Sequence, residues 1–257
     1  MRIVRHPVHT HLCCTALAHL REILLAGTLM LAILSCLPAF AQTRSAGAAD
    51  HNSRLETVLK QMDTASGQFR NAEADFVWDQ YQKVVNETDT QKGKVYYRRT
   101  GKGDTQMMAN IQSPEQKYVL YADGKVRLYQ PRIQQINEYD AGKNRDQFQS
   151  FLVLGFGGGG HDLLEQFDVK FGGDEDVDGV KTAKLELAPK APNVKNMFSQ
   201  IVIWIDAPRG ISLKQQFLEP SGDYRIAHYT NIKLNGKVPD DAFKLHTSGS
   251  VKTVKGK

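Results

Sequence analysis

The densest β-forming stretch runs from Ile201 to Leu245, and it confines the chain to folds built on antiparallel strands. Ile201-Val202-Ile203-Trp204-Ile205-Asp206 is followed by the turn residues Ala207-Pro208-Arg209-Gly210. Ile211 to Leu218 ends at Glu219-Pro220-Ser221-Gly222-Asp223, and Tyr224 to Ile232 leads to Asn235-Gly236. Apolar-rich runs bounded by Pro, Gly and Asp clusters are consecutive strands of a meander. Ile211/Leu213 and Tyr224/Ile226 alternate with polar neighbours, so one face is buried and the other wet. The stretch holds no nucleophile–base pair, metal cluster or phosphate loop, and its use must lie in the sheet itself.

The same alternation runs through much of the preceding chain. Ala74, Phe76 and Trp78 share one strand face; Val95, Tyr97 and Arg99 share another; Met107, Ala109 and Ile111 a third, ending at Ser113-Pro114. Tyr118–Tyr121 and Val126–Tyr129 flank Asp123-Gly124, a hairpin turn. Ile133 to Tyr139, Asp168 to Phe171 and Val180 to Leu187 add further strands. Two helical stretches interrupt them. In the first, Ser53-x-x-Glu56 reads as a capping box, and Leu55, Val58, Leu59, Met62, Ala65 and Phe69 form one apolar stripe. This helix packs on the sheet or serves as a lid over a cavity. In the second, Phe148, Phe151, Leu152 and Leu154 precede the run Gly155-Phe156-Gly157-Gly158-Gly159-Gly160, and His161 to Phe167 adds another helical turn. The order predicts a single α+β domain over 53–247, a strongly bent antiparallel sheet of about ten or eleven strands with short helices.

Residues 1–41 read as a secretory signal: Arg2, Arg5 and Arg21 form a basic leader, Ile23 to Leu37 an apolar core, and Ala39-Phe40-Ala41 a small-x-small cleavage site. Ile33-Leu34-Ser35-Cys36 loosely fits a lipidation signal. Residues 42–52 are small and polar, a linker without core potential, and 248–257 read as a flexible basic tail. The cysteines Cys13, Cys14 and Cys36 all precede Gln42, so cleavage at Ala41 leaves no disulfide or thiolate chemistry. Of the 33 basic and 28 acidic residues, the signal takes three and one (Glu22), leaving 30 and 27. That mild, scattered excess argues against nucleic-acid binding.

Catalytic and metal-binding patterns fail one by one. No Gly-Lys-Ser/Thr follows the glycine run, which reads instead as a hinge or a tight turn between helices. Asp174-Glu175-Asp176-Val177-Asp178-Gly179 opens like a calcium loop, but position twelve is Leu185, so an acidic hairpin turn fits better. His51, His161, His228 and His246 lack ligand spacing and read as surface or turn residues. No catalytic residue, metal site or cofactor is expected, and the chain is not an enzyme; a secreted hydrolase would need a polar cluster that is not visible. The positive signal is apolar. Phe76, Trp78, Val95, Tyr97, Met107, Ile111, Tyr118, Leu120, Leu128 and Trp204 offer more large side chains than a few short helices can cover. Such sheets enclose ligand cavities.

In Gly93-Lys94-Val95-Tyr96-Tyr97-Arg98-Arg99, Tyr121-Ala122-Asp123-Gly124-Lys125-Val126-Arg127-Leu128-Tyr129-Gln130-Pro131, Asp178-Gly179, Leu185-Glu186-Leu187-Ala188-Pro189, Ile203-Trp204-Ile205-Asp206, Ser221-Gly222-Asp223, Asn231-Ile232 and Pro239-x-x-x-Phe243, the chain resembles the periplasmic outer-membrane lipoprotein carrier family (LolA-like). The ordered set covers nearly all of Leu55 to Leu245. The resemblance implies an incomplete, open-sided β-barrel whose hydrophobic cavity is closed by a helical lid. The lid residues would be Leu55, Val58, Leu59, Met62, Phe148, Phe151, Leu152 and Leu154. It implies a monomeric periplasmic carrier that takes lipoprotein acyl chains from an inner-membrane lipoprotein-releasing transporter to an outer-membrane acceptor. Relatives of the same fold act as envelope-stress regulators or as membrane-anchored lipid-binding receptors, and a lipidated Cys36 would favour the latter. In the family an Arg after the strand matching Val95–Tyr97 tethers the closed lid. Arg99 matches it, with Arg98 beside it; Thr100 stands where the family often has Pro.

Overall fold

The computed structural model describes residues 43–101, 104–140, 142, 154–247 and 249–256. The signal segment and the expected lid residues Phe148, Phe151 and Leu152 lie outside the described residues.

Twelve strands form one sheet in the order β12-β6-β5-β4-β3-β2-β1-β11-β10-β9-β8-β7. They are β1 (Asn71–Gln82), β2 (Glu87–Arg99), β3 (Thr105–Ser113), β4 (Lys117–Ala122), β5 (Lys125–Gln130), β6 (Gln135–Asp140), β7 (Phe167–Val177), β8 (Val180–Pro189), β9 (Gln200–Asp206), β10 (Ile211–Leu218), β11 (Tyr224–Leu234) and β12 (Lys252–Lys255). Two meanders, β1 to β6 and β7 to β11, meet where β1 pairs with β11 at the centre. Short antiparallel connections explain this order: Asp123-Gly124 and Asp178-Gly179 both place two consecutive residues at positive φ, as the tightest hairpin turns require. The edges β7 and β12 do not pair with each other, so the barrel is open-sided.

The twelfth strand corrects the reading of 248–257 as a flexible tail. Lys252 to Lys255 lie parallel to Gln135–Glu138 of β6, and the Lys252 and Gly256 amides donate to Gln134 and Glu138 carbonyls at 2.9 and 2.8 Å. All four strand residues are exposed. No burial pattern marks them in sequence, and what holds them is the unpaired backbone edge of β6. Ending the chain after Val251 therefore costs little unfolding free energy but bares an edge strand. Concentration-dependent self-association in gel filtration is the expected result, and a truncated protein that stays at the intact chain's elution volume at every concentration would refute it.

The helix α1 (Thr43–Gln68) begins ten residues ahead of Ser53. The expected linker and capping box are thus both corrected. The apolar stripe does not extend back over Ala46, Ala48 and Ala49, yet alanine propagates a helix better than any other residue. Ser53 sits inside the helix, where its carbonyl accepts the Thr57 hydroxyl at 2.9 Å.

Register defines one continuous inner face. Trp78 lies opposite Ala227, Ala227 opposite Gln215, Gln215 opposite Ile203 and Ile203 opposite Leu185. In the other direction Ala74, Val95, Ala109, Val119 and Leu128 succeed one another. The apolar stripe of α1 covers part of this face: Val58 and Met62 join Leu154, Leu163 and Phe167 over Leu185, Leu187, Ile201, Ile203 and Ile205. Each such side chain, fully buried, contributes about 1.5–3 kcal/mol. On the outer face Met108, Leu120 and Ala122 pack under Phe243, whose ring lies 4.2 Å from the Arg98 guanidinium.

Candidate functional site

A further part of the inner face is covered by a strap, residues 154–160, lying between α1 and the sheet. Its glycines are not a loose hinge. A Cβ on Gly160 would stand 2.3 Å from the Leu59 carbonyl oxygen and 2.5 Å from the Leu59 Cα. One on Gly157, at φ +84°, would stand 2.3 Å from the Phe69 ring, and one on Gly155, at φ +76°, 2.3 Å from the Ser212 Cβ. The run is glycine because the backbone passes in contact with both layers.

Phe156 is the large side chain this strap delivers. It is fully buried, stacked on Tyr97 with centroids 4.6 Å apart and edge-on to Tyr229 at 4.9 Å. Beside them Phe76 stacks on Trp78 at 4.3 Å. The strap is fastened by polar contacts. The Ser212 amide donates to the Gly155 carbonyl at 2.8 Å. The Gln215 amide donates to the Leu154 carbonyl and accepts from the Tyr229 hydroxyl. Burial pushes the Tyr229 hydroxyl up to about 12, against the pull of Trp78 and Tyr97 beside it. Burial, foremost, also raises the Tyr97 hydroxyl, so both phenols stay protonated and act as neutral hydrogen-bonding groups.

Arg99 closes the arrangement. At the end of β2, its guanidinium donates to the Ser66 carbonyl at 2.8 Å and to the Gly157 carbonyl at 2.6 Å. The Ser66 hydroxyl donates to the same Gly157 oxygen at 2.7 Å. One fork from the sheet thus holds the last turn of α1 and the strap together, a geometry that a point charge would not satisfy. Arg98, its neighbour, points to the outer face, bonded to Gln106 and Asp240.

A second clasp lies at the strap's far end. His161 bonds Asp63 through Nδ1 and Glu56 through Nε2, and its amide donates to Asp63 at 3.1 Å. The Asp63 hydrogen bond chiefly holds the imidazole above its ordinary value. Burial pushes the Asp63 carboxyl up, but the bonds from His161 outweigh it and leave it below the usual range; Lys60 and then His161 lower Glu56. A raised histidine contributes stability that is fully present below its unfolded value, about 6.5, and is lost as pH rises through the folded one. The two lowered carboxylates contribute stability that is lost only in acid. The melting temperature of His161→Gln is therefore expected to fall furthest below wild type near pH 5.5 and to approach it by pH 8.5. A constant gap across that range would refute the clasp.

The ten expected cavity residues divide. Phe76, Val95, Tyr97, Met107 and Ile111 are buried in the inner cluster with Trp78 against them. Leu128 lies on the same face, half-buried, opposite Val119. Tyr118 and Leu120 face outward into the Phe243 cluster. Trp204 is buried in the inner cluster, on the strand face away from Ile203 and Ile205, where it pairs with Lys184 and Lys214. Its indole donates to Glu175 at 2.6 Å, and the Lys214 ammonium lies 4.4 Å from its ring. Of the expected lid residues within the described set, Val58, Leu59, Met62 and Leu154 are buried and Leu55 is half-buried. Phe156, Gln215, Tyr229 and the His161–Asp63 pair escape a sequence reading because their partners are distant; a lone aromatic among five glycines is the available signal. Among the described residues no three His, Cys, Asp or Glu side chains gather as metal ligands. In the acidic turn Asp174 meets Arg54, Glu175 meets Lys184 and Asp178 meets His228.

Comparison with solved structures finds similar folds at low identity. A MucB crystal structure shares 15% identity with a TM-score of 0.51, covering 80% of this chain and 66% of its own. An uncharacterized conserved protein from Thermus thermophilus shares 12% with a TM-score of 0.50, covering 78% and 98%. A LolA-superfamily protein from Nitrosomonas europaea shares 13% with a TM-score of 0.37, covering 74% and 97%. The chain spans less than two thirds of the MucB chain it matches in the MucA/MucB complex of Pseudomonas aeruginosa, 61%. Comparison with curated protein sequences gives no match. The family model described as outer membrane lipoprotein carrier protein LolA matches residues 67–246, from the end of α1 to the cover of the outer face, and the chain belongs to that family.

Proposed function

We propose that this protein is a periplasmic carrier that shields lipoprotein acyl chains on the inner face of its sheet and moves them from the inner to the outer membrane. The observation that carries this reading is the Arg99 fork, which holds α1 and the strap over a continuous apolar surface by a few polar bonds. Such a cover opens without unfolding the sheet. Burying acyl chains gains about 0.8 kcal/mol per CH₂, so release needs a competing surface or an opened cover, and no bond is made or broken. The partners would be a lipoprotein-releasing transporter in the inner membrane and an acceptor in the outer one, met by a monomer without metal or cofactor. Among the described residues no helix is long and apolar enough to cross a membrane.

Native mass spectrometry of the protein from its own envelope fraction, followed by denaturing lipid extraction, tests the reading. A co-purifying lipoprotein or lipid is the expected result. An empty protein whose N-terminus is a diacylated Cys36 would replace the carrier with an anchored receptor of the same fold.

A further inference from the structure

Phe156 is fully buried among the aromatic side chains of the inner face. Its slot is walled by Tyr97 and Tyr229, with Phe69, Phe76 and Trp78 adjoining in the same cluster. The side chain that fills it comes from neither the sheet nor α1. It is carried on a backbone whose glycines bring no other bulk, pinned by hydrogen bonds from Arg99, Gln215, Ser66 and the Ser212 amide. A core residue is ordinarily embedded in a helix or strand that holds it by many backbone bonds. Phe156 makes one isolated bridge, to Ile211.

We propose that Phe156 is an internal ligand, seated in an acyl-chain site and exchanged for the incoming chain. This rests on the carrier reading and specifies where the chain first binds. The exchange is the displacement of one phenyl ring by methylene groups, and burial of a phenylalanine side chain balances roughly two to four of them. Binding therefore has a length threshold. Chains of a few carbons cannot displace the ring, whereas long chains exceed it and extend along the inner face past Trp78. The empty protein keeps a filled, dry interior in place of an exposed apolar groove that would drive aggregation, and affinity for long chains is reduced by the occupancy of the ring.

The test uses Trp204→Phe as parent, which leaves Trp78 the sole tryptophan; Trp204 is buried on the strand face away from Ile203 and Ile205, where phenylalanine keeps most of its packing. Quenching of Trp78 by 9,10-dibromostearate reports a chain lying beside it. Phe156→Ala in this background is expected to bind the probe at least tenfold more tightly and to bind butanoate, a competitor without effect on the parent. If the parent is quenched and Phe156→Ala, still folded by circular dichroism, gains no affinity, Phe156 is not a competitor, and the carrier reading survives. If neither protein is quenched at any probe concentration, both readings fall. Should Phe156→Ala not fold, Gly157→Ala decides. Its Cβ collides with the Phe69 ring and loosens the strap while keeping Phe156, so the probe must associate several-fold faster; an unchanged rate overturns the exchange.

Discussion

Gly160→Ala is expected to destabilise the protein by about 1–3 kcal/mol or more, the usual cost of forcing a side chain into filled space. The added carbon would meet the Leu59 carbonyl oxygen at 2.3 Å, the Leu59 Cα at 2.5 Å and its carbonyl carbon at 2.7 Å. All three are backbone atoms of α1, so no rotamer change relieves the clash. Either the helix withdraws, stripping Val58 and Met62 from the inner face, or the strap lifts and takes Phe156 with it. Gly67→Ala supplies the contrast. Gly67 lies within α1, exposed, and a methyl group added there would have nothing within 4 Å. There alanine is expected to stabilise by about 0.5–1 kcal/mol, because it narrows the unfolded ensemble and favours the helix. Urea unfolding of the two variants must shift the midpoint in opposite directions. Equal midpoints for Gly160→Ala and wild type would mean that the strap does not press on α1.

Much of the sheet is legible because period-two alternation and Asp-Gly turns are local signals. The two hairpins at Asp123 and Asp178 and the helix stripe from Val58 to Met62 follow from neighbours within a few residues. Which face looks inward is legible only in part. β3 and β4 are covered on both sides, so Met107 and Met108 are both buried, as are Leu120 and Tyr121. Alternation cannot choose between two apolar faces, and Leu120 and Tyr118 accordingly fall on the side away from the strap. Trp204 is buried in the same cluster as Phe76 and Tyr97, yet its indole meets two lysines and Glu175 on the strand face away from Ile203 and Ile205. The strap itself is least legible. Arg99 lies 58 residues from Gly157 and 33 from Ser66, and no spacing rule connects them. The family resemblance singles out Arg99, and the contacts that give it a physical task come from the fold.

Arg99→Ala is expected to open the cover while leaving the sheet folded. The guanidinium donates to two carbonyls, Ser66 and Gly157, and hydrogen bonds from a charged donor contribute about 1.5–3 kcal/mol. Its loss leaves the Gly157 oxygen with the Ser66 hydroxyl and the Ser66 carbonyl with the Phe69 amide alone. That free energy corresponds to about a 10- to 150-fold rise in the equilibrium for strap opening, since about 1.4 kcal/mol is one factor of ten. Hydrogen exchange locates the effect. The Ser212 amide, bonded to the Gly155 carbonyl, should lose protection by that factor, whereas the Leu185 and Ile203 amides, on the paired strands β8 and β9, should keep theirs. Arg99→Lys separates charge from geometry: an ammonium reaches one carbonyl but cannot fork between two, so it should recover only part of the protection. Full recovery by lysine would make the contact simple charge attraction, and unchanged Ser212 exchange in Arg99→Ala would remove Arg99 from the control of the cover altogether. An open cover also admits long-chain ligands in place of Phe156, so in the same variant 9,10-dibromostearate should associate faster as strap protection falls.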